Sequence, residues 1–482
     1  MSSKRQECIR LSGYDTWFVV DEPVEPQHTL KIAVFDEESS RAFDVEEVIR
    51  ALDAAVAVLP QMRWRVRPVP LGINRPMWVV ASNFNVRDHV RFTALSGAGD
   101  KKELCRVIGE IAAERIPSAK PPWQLWFISG FEGVKVVALL KVSHALADGG
   151  TCAQLISMLS RPEPNAPPVP ALVPQPCESA TWRDLVHQLA RELLREVPRL
   201  VNVMRKAKIE RRKPVSEVKP PSVLRAPCLP WRGPLAAGRS FSYVTIPLPE
   251  VKAVGRTIGG TVNDVVFACV AGAVRSYLAE RDELTDRPVV ATTVAKNRRE
   301  SDPRLWGNAV TTRMFGLPTH LADPLERLKA AQAQSNSVKA RVAHRRGAQL
   351  EEWIDLVPPI IMGPLSAAIR RAYRRSSGYV MVSNVVGPSE KRYFDGMGVE
   401  NFISCGHLKY AAGVNVTVWS YDGKLNFGVY GCSETLPDAD EFSERIQSAF
   451  GELQRATSGL IHDKSVKSAS EQSVAADQAR GA

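Results

Sequence analysis

The sequence predicts an α/β protein with two domains. Its 482 residues are 44% hydrophobic and 24% charged, a composition that suits a globular protein with more than one sizeable core. Strand-like runs of β-branched residues alternate with segments of helical hydrophobic spacing, and a proline-rich stretch interrupts this alternation near residue 170. We therefore expect domains at 1–160 and 239–455, a linker with a basic amphipathic helix at 161–238, and a disordered polar tail at 456–482.

Apolar patterning predicts the order of elements in the first domain. We expect a helix-like entry at 9–18, a strand at 28–35, a helix at 44–59, strands at 60–66 and 77–80, a helix at 103–115, paired strands at 125–129 and 134–142, and a helix at 151–159. Asp44 is the expected N-cap of its helix, because its carboxylate can accept a hydrogen bond from the first turn.

A polar turn follows the last apolar strand of this domain and reads Ser143-His144-Ala-Leu-Ala-Asp148-Gly149-Gly150. A neutral imidazole at a strand end can take a proton from a hydroxyl group that attacks a carbonyl, so His144 is a candidate general base. Asp148 could orient the imidazole, but we expect it to support the loop. Gly149 and Gly150 allow a close approach of the backbone. A lone histidine after an apolar strand is more often a core or rim residue, so the motif alone leaves both roles open.

The second domain is predicted from the same two periodicities. We expect strands at 241–247, 288–294, from 306 onwards, and at 379–384, a hairpin of 414–421 and 424–430, and helices at 251–256, 265–278 and 323–342. The dipeptide Asp422-Gly423 is a strong hairpin signal. Asn263 is expected to cap the helix at 265–278, and Asp264 to meet the positive end of its dipole. Capping alone would explain both residues.

Positive charge is concentrated in one segment of the chain. The formal net charge is +11, and residues 161–239 hold fifteen Lys and Arg against seven Asp and Glu. Within this segment, residues 181–212 have an apolar helical stripe flanked by arginines. Residues 354–375, further along the chain, are a second stretch of this kind. Such a helix can lie on anionic lipid, although packing with solvated arginines outside is commoner. Nucleic-acid binding is not expected, because the basic segment lacks interleaved aromatic residues and any reader motif.

Cysteine usage and the termini predict the compartment. The eight cysteines form no C-x-x-C pair and no metal-like spacing, so neither a disulfide framework nor a zinc site is indicated. The N-terminus lacks an apolar signal region, and no apolar run approaches the roughly 18 residues that span a bilayer. We expect a cytoplasmic protein that is soluble or peripheral, with the inner face of the plasma membrane or a lipid-droplet surface as the site of attachment.

Several short motifs resemble one family when they are taken together. Residues 143–149 resemble the His-His-x-x-x-Asp-Gly motif of the bacterial wax ester synthase/diacylglycerol acyltransferase family. Pro121-Pro122-Trp123 resembles its Pro-Leu-Trp segment, and Asn263-Asp264 its Asn-Asp motif. Similar C-terminal segments are Trp306-Gly307-Asn308, Leu317-Pro318, Asp323-Pro324 and residues 383–388. These motifs follow the family order over roughly residues 10 to 450.

The resemblance implies a two-domain fold like chloramphenicol acetyltransferase, with a tunnel between the domains where acyl-CoA meets its acceptor. It implies that His144 deprotonates the hydroxyl of a diacylglycerol or long-chain alcohol, which attacks the thioester and releases CoA. No metal or bound cofactor is implied. The developing oxyanion needs hydrogen-bond donors, and Asn263 and Asn384 are candidates by motif match. Trp123 is a further candidate for substrate binding.

Two departures from the family pattern keep other functions open. Ser143 replaces the first histidine of the motif, and Pro122 replaces the leucine of the Pro-Leu-Trp segment. Serine keeps a hydrogen-bonding group but not a titrating one. The alternatives are an acyltransferase that acts on a polyketide, sugar or peptide, and a lipid-binding homologue without turnover. The chain lacks a Gly-x-Ser-x-Gly elbow and a phosphate-binding glycine loop, which argues against a serine hydrolase of that type and a P-loop NTPase.

Overall fold

The computed structural model describes residues 9–164, 198–206, 208, 226–296, 304–344, 350–373, 378–410 and 412–458. These residues form two lobes, each built around a six-stranded mixed sheet, together with a small three-stranded sheet. The α/β class predicted from the sequence is confirmed.

Helices connect most of the strands. They are α1 Gly13–Asp21, α2 Glu37–Arg41, α3 Val45–Val58, α4 Lys101–Ala113, α5 Gly149–Leu159, α6 at residues 198–206, α7 Leu248–Thr257, α8 Val262–Ala279, α9 Pro324–His344, α10 Leu350–Ile354, α11 Pro359–Tyr373 and α12 at residues 439–458. Short 3-10 turns occur at Pro60–Arg63, Pro70–Gly72 and Val86–His89. The predicted cap of α3 is confirmed, because Asp44 Oδ1 accepts a hydrogen bond from Glu47 N at 2.8 Å.

The strands divide among three sheets. They are β1 Ile9–Arg10, β2 His28–Phe35, β3 Trp64–Arg67, β4 Met77–Val80, β5 Val90–Ala94, β6 Trp123–Phe131, β7 Lys135–Ser143, β8 Arg239–Pro247, β9 Val289–Lys296, β10 Val310–Leu317, β11 Val380–Val386, β12 Tyr393–Phe394, β13 Met397–Cys405, β14 Val414–Tyr421 and β15 Lys424–Cys432. The N-terminal lobe has the order β12-β13-β2-β7-β6-β5, the C-terminal lobe β10-β9-β11-β14-β15-β8, and the small sheet β1-β4-β3.

One strand crosses from the C-terminal half of the chain into the N-terminal sheet. Strand β13 pairs antiparallel with β2, with Ile403 opposite Ile32 and Cys405 opposite Leu30. Strand β12 extends the same edge by pairing with β13. Both strands lie within residues 239–455, the segment expected to form the second domain, and neither was predicted from the sequence.

Helix α8 forms the centre of the C-terminal core. Its residues Val265 to Val274 are buried, and they pack with strands β9, β11, β14 and β15 in one apolar cluster. By length and mean hydropathy α8 could cross a membrane, although its uninterrupted apolar run, from Val265 to Val274, is well short of 18 residues. However, 72% of this helix is buried inside the protein. Its apolar character is therefore explained by its place in the core.

The structure corrects three local expectations. Asn263 does not cap α8, since Thr261 occupies the N-cap position and the Asp264 carboxylate accepts a hydrogen bond from Thr261 N at 2.7 Å. Residues 456–458, expected in the tail, end helix α12. The segment at 354–375 is not one helix, because α10 ends at Ile354 and α11 begins at Pro359.

Parts of the predicted linker and tail lie outside the described residues. Of the proline-rich stretch at 161–180 the structure describes 161–164, and of the basic helix at 181–212 it describes 198–206 and 208. The tail beyond 458 also lies outside them. The hairpin expected at Asp422-Gly423 is confirmed, and both residues have the positive φ that such a turn requires, 44° and 71°.

Candidate active site

The turn after β7 places His144 at the junction of the two lobes. Asp148 ends this turn as the N-cap of α5, where its Oδ1 accepts a hydrogen bond from Thr151 N at 2.7 Å. Its Oδ2 accepts one from Ala309 N at 2.8 Å, in the loop before β10 of the other lobe. Both carboxylate oxygens of Asp148 are therefore engaged by backbone groups, and they hold the loop and the two lobes together.

The imidazole of His144 is oriented by Asn308. The His144 Nδ1 to Asn308 Oδ1 distance is 2.8 Å. The orientation of the Asn308 amide is set by its Nδ2, which donates to Asp15 Oδ1 at 2.7 Å and to the His144 backbone oxygen at 2.6 Å. Because Asn308 Oδ1 is an acceptor, Nδ1 of His144 carries the hydrogen. The Nε2 atom then keeps a lone pair that can accept a proton.

Two aromatic rings enclose His144. Phe18 of α1 stacks on the imidazole with a centroid distance of 4.5 Å, and His407 meets it edge-on at 4.6 Å. The pKa of His144 is lowered to about 4, mainly by burial. The Asp148 carboxylate and the Asn308 hydrogen bond oppose this shift, and the Lys31 ammonium group adds to it. Burial also lowers the pKa of His407 well below its usual value. Near neutral pH His144 is thus a neutral imidazole, the form that a general base requires.

A cavity of about 520 Å³ lies between the lobes and is bordered by His144. The first lobe supplies residues of β2 and α5, and the second lobe supplies residues of β10, β11 and β14. Asn384 and Gly149, both expected from the sequence to belong to the site, line this cavity. An added Cβ on Gly149 would lie 3.0 Å from Val385 Cγ2, so the glycine allows α5 and β11 to approach closely.

Lys31 borders this cavity and also a second, apolar one. The apolar cavity is narrow, about 90 Å³. Lys31 Nζ donates hydrogen bonds to Thr29 Oγ1 at 2.9 Å and to Ser404 Oγ at 2.6 Å, and it lies 5.3 Å from the centre of the Trp419 ring. Within the described chain no carboxylate lies at ion-pair distance from it. Burial lowers the pKa of this ammonium group.

Other residues singled out in the sequence make contacts that do not involve the imidazole of His144. Trp123 borders the apolar cavity, stacks on His89 at 4.4 Å, and donates from Nε1 to Met62 O at 2.7 Å. Ser143 Oγ accepts a hydrogen bond from Ala145 N at 3.3 Å and so helps to shape the turn. Asn263 and Asp264, in the first turn of α8, are not among the described residues that line the cavity beside His144.

The sequence did not assign roles to five neighbours of His144. They are Asp15, Phe18, Lys31, Asn308 and His407. Asn308 stood in a segment that resembles the family, but nothing in that segment pointed to an interaction with a residue 164 positions earlier. Among the described residues no group of His, Cys, Asp and Glu has the arrangement of a metal site.

Comparison with solved structures identifies the class of fold. A wax ester synthase/diacylglycerol acyltransferase from Marinobacter aquaeolei VT8 matches 93% of this chain and 100% of its own, with a TM-score of 0.63 and 21% identity. The first condensation domain of the CDA synthetase matches 95% of this chain and 97% of its own, with a TM-score of 0.57 and 14% identity. The protein therefore has the two-lobed fold of chloramphenicol acetyltransferase-like enzymes and condensation domains, as the resemblance implied.

Sequence comparison identifies the family. The profile of the wax ester synthase/diacylglycerol acyltransferase catalytic domain matches residues 11–266, and that of the WS/DGAT C-terminal domain matches 306–454. A Mycobacterium tuberculosis protein provisionally named a diacylglycerol O-acyltransferase is 31% identical over 431 residues, 87% of this chain and 91% of the relative. A second one is 30% identical over 457 residues, 91% of this chain and 89% of the relative. The chain belongs to the wax ester synthase/diacylglycerol acyltransferase family.

Proposed function

We propose that this protein transfers a fatty acyl group from acyl-CoA to the hydroxyl of a diacylglycerol or a long-chain alcohol, with His144 as the general base. The observation that carries the proposal is the contact between His144 Nδ1 and Asn308 Oδ1 at 2.8 Å, because it fixes the tautomer whose Nε2 can accept a proton. The family, whose relatives are provisionally named for diacylglycerol acylation, supports the acceptor class.

The proposed chemistry is direct transfer without an acyl-enzyme. His144 Nε2 takes the proton of the acceptor hydroxyl while its oxygen forms a bond to the thioester carbon. The carbonyl electrons move to oxygen and give a tetrahedral oxyanion. When this intermediate collapses, the carbon–sulfur bond breaks, CoA leaves as a thiolate, and the imidazolium returns its proton to the sulfur. The products are an ester and free CoA.

Two donors of the cavity suit the oxyanion. Lys31 and Asn384 both border the cavity that His144 borders, and each side chain carries N–H donors. Lys31 also borders the apolar cavity, whose lining is almost entirely aliphatic and aromatic and suits the part of an acyl chain next to its carbonyl. An acyl group with its chain in the apolar cavity would carry its carbonyl past Lys31 and towards His144.

The proposal is tested by release of free CoA from palmitoyl-CoA, with diolein or hexadecanol offered separately. We expect acceptor-dependent release by the wild type, and a loss of about 10²- to 10⁴-fold in His144→Ala, which is the usual contribution of a general base. His89→Ala is the matched control, since it removes another buried imidazole that does not border the cavity of His144.

Three outcomes would contradict the proposal. Release by His144→Ala at the wild-type rate would exclude the base. Equal losses in His144→Ala and His89→Ala, with lowered melting temperatures in both, would indicate damage to the fold. Absence of release with either acceptor from folded wild type would exclude neutral-lipid acceptors and favour another acceptor or a lipid-binding homologue without turnover, for which Ser143 is the hint in the sequence.

A further inference from the structure

Exposed apolar side chains are concentrated on one surface of the molecule. Fourteen large apolar side chains are exposed among the described residues, and nine of them belong to three chain segments that meet. We call these nine the apolar surface: Leu71, Ile73, Leu200, Val201, Met204, Trp353, Ile360, Ile361 and Leu365. Single exposed apolar residues are common on any protein, but a contiguous group of this size marks an interaction site.

Asp355 joins the three segments of the apolar surface. Its carboxylate accepts hydrogen bonds from Gly13 N and from Arg199 of α6, and Arg75 lies 3.5 Å away. A further ion pair links Lys206 of α6 to Glu352 of α10 at 2.9 Å. The turn at Pro70–Gly72 touches α11, and an added Cβ on Gly72 would lie 3.3 Å from Ile360 N. The three segments that carry the nine side chains are therefore held together by the ion pairs of Asp355 and Glu352.

Among the side chains that the structure describes around this surface, positive charges predominate. The carboxylates of Asp355 and Glu352 are engaged by cations of Arg75, Arg199 and Lys206. Beyond these pairs, the exposed cations include Arg205 of α6, Lys208 two residues after the end of α6, and Arg371 of α11. An apolar centre with a basic margin is complementary to a lipid surface with anionic headgroups, because apolar side chains enter the acyl boundary while cations meet the headgroups.

We propose that the apolar surface docks this protein onto an anionic lipid surface. Leu71 and Val201 are 81% and 60% exposed, and Ile360 and Ile361 are 58% and 53% exposed, so each of the three segments presents apolar side chains for insertion. This proposal goes beyond acyl transfer and does not depend on the role of His144.

The docking surface lies one helix away from the candidate base. Helices α10 and α11 pack on α1 through a cluster of Trp17, Ile354 and Met362, and Arg370 of α11 forms an ion pair with Asp21 of α1 at 2.8 Å. Helix α1 in turn supplies Asp15 and Phe18 to the surroundings of His144. A lipid surface at α11 would therefore lie next to the site where a water-insoluble acceptor is needed.

The test is co-sedimentation of the full chain with phosphatidylcholine vesicles, with and without phosphatidylglycerol. We expect binding that increases with phosphatidylglycerol and weakens with salt, because exposed charges are screened. The double variant Ile360→Asp/Ile361→Asp should lower partitioning about tenfold or more, since it replaces inserted apolar groups by charges. Phe92→Asp is the matched control, because Phe92 is 44% exposed on β5 and does not belong to the apolar surface.

A second variant and a mass measurement complete the test. Val201→Asp/Met204→Asp changes a different segment of the same surface, and it should reproduce the loss even where the first variant folds poorly. Failure of the wild type to bind vesicles, or binding by both double variants as tight as that of Phe92→Asp, would overturn the proposal. A wild-type dimer that both double variants convert to a monomer would also overturn it, because a second copy would then cover the surface.

Discussion

Lys31 has an environment that is unusual for a cation. The ammonium group is buried, its hydrogen-bond partners are two hydroxyl oxygens, and no carboxylate of the described residues neutralises it. A lysine has three N–H donors, so one remains when Thr29 and Ser404 are bound. Burial of a charge without a counter-ion is costly. A carbonyl oxygen that becomes negative in the transition state would be the missing partner, since preorganised donors stabilise such an oxygen strongly.

We predict that Lys31→Met lowers kcat about 100-fold and leaves KM for acyl-CoA nearly unchanged, as loss of an oxyanion donor does. The measurement is steady-state CoA release under the conditions that support wild-type turnover. Lys141→Met is the matched control: Lys141 is also buried, but its Nζ donates to Ile111 O and Glu114 O and does not border the cavity of His144. An equal loss of kcat in both variants, or a loss confined to KM, would exclude this role for Lys31.

The candidate site shows which contacts a sequence can reveal. His144 was predicted because its turn and the preceding strand are local in the chain. Its orienting residue Asn308 is 164 positions away, and Asp15 lies 293 positions before Asn308. Such contacts depend on how the two lobes pack, which periodicity and spacing do not encode. The cap of α8 was assigned to Asn263 because the choice among neighbours is too local for the sequence to decide. Several adjacent polar residues could cap this helix, and the extended backbone of Thr261 makes that residue the N-cap.

At the level of single elements, α1 connects the interior of the site with the outer helices. Its start is fixed by Ser12, whose Oγ accepts a hydrogen bond from Asp15 N at 3.0 Å. Its first residue, Gly13, lies against the α10–α11 connection, where an added Cβ would be 2.5 Å from backbone atoms of Asp355. No side chain fits there without a shift of α1, and α1 carries both Asp15 and Phe18.

We predict that Gly13→Ala displaces α1 and lowers the free energy of unfolding by about 1–3 kcal/mol, as overpacking does. Because the shift of α1 misplaces His144, kcat should also fall about ten- to 100-fold. Denaturant unfolding and CoA release measure the two effects. Gly363→Ala, in α11 on the same interface, is the control, because its added Cβ would come no closer than 4.0 Å to Val20. It should be neutral or stabilising by about 0.5–1 kcal/mol. Wild-type kcat in Gly13→Ala would contradict the coupling.

The elements themselves were predicted unevenly. Strand β2 and helix α3 were confirmed because alternation and a capped 3.6-residue repeat are strong local signals. Strands β5 and β13 and helix α12 were not predicted. Strand β13 is buried along most of its length between β2 and β12, so its residues show no clean alternation. Its position in the N-terminal sheet depends on pairing with residues about 370 positions earlier, which the local sequence does not specify.

Across the whole molecule, buried titratable groups act on stability in opposite directions. Burial lowers the pKa of His28 to about 3 and that of His144 to about 4. As the pH falls below about 6.5, these histidines take up protons in the unfolded chain before they do so in the folded protein. Their contribution to the free energy of unfolding is therefore lost in that range. Glu22 opposes this, because burial raises its pKa from 4.5 to about 7. Its contribution is complete below pH 4.5 and is lost as the pH rises through 7.

We predict that Glu22→Gln increases the free energy of unfolding at pH 8 by up to about 3 kcal/mol, at about 1.4 kcal/mol per pKa unit, and has no such effect at pH 4.5. In the wild type, Gln27 N donates a hydrogen bond to Glu22 Oε2 at 2.6 Å, and Glu22 Oε1 has no partner. The amide of the variant keeps an oxygen that can accept the hydrogen bond from Gln27 N. Chemical denaturation at both pH values measures the difference. Glu37→Gln, whose side chain is 58% exposed, should change little at either pH. Stabilisation by Glu22→Gln that is equal at both pH values would contradict ionisation as the cause.

The passage of β13 into the N-terminal sheet has a consequence for synthesis on the ribosome. Strand β2 has β7 on one side and β13 on the other, and β13 ends at Cys405. While the ribosome translates residues 144 to 405, the nascent N-terminal sheet therefore has an open edge at β2, and unpaired strand edges invite aggregation. Completion of the first lobe must wait until the last fifth of the chain is being made. A chaperone that shields this edge would act during that interval.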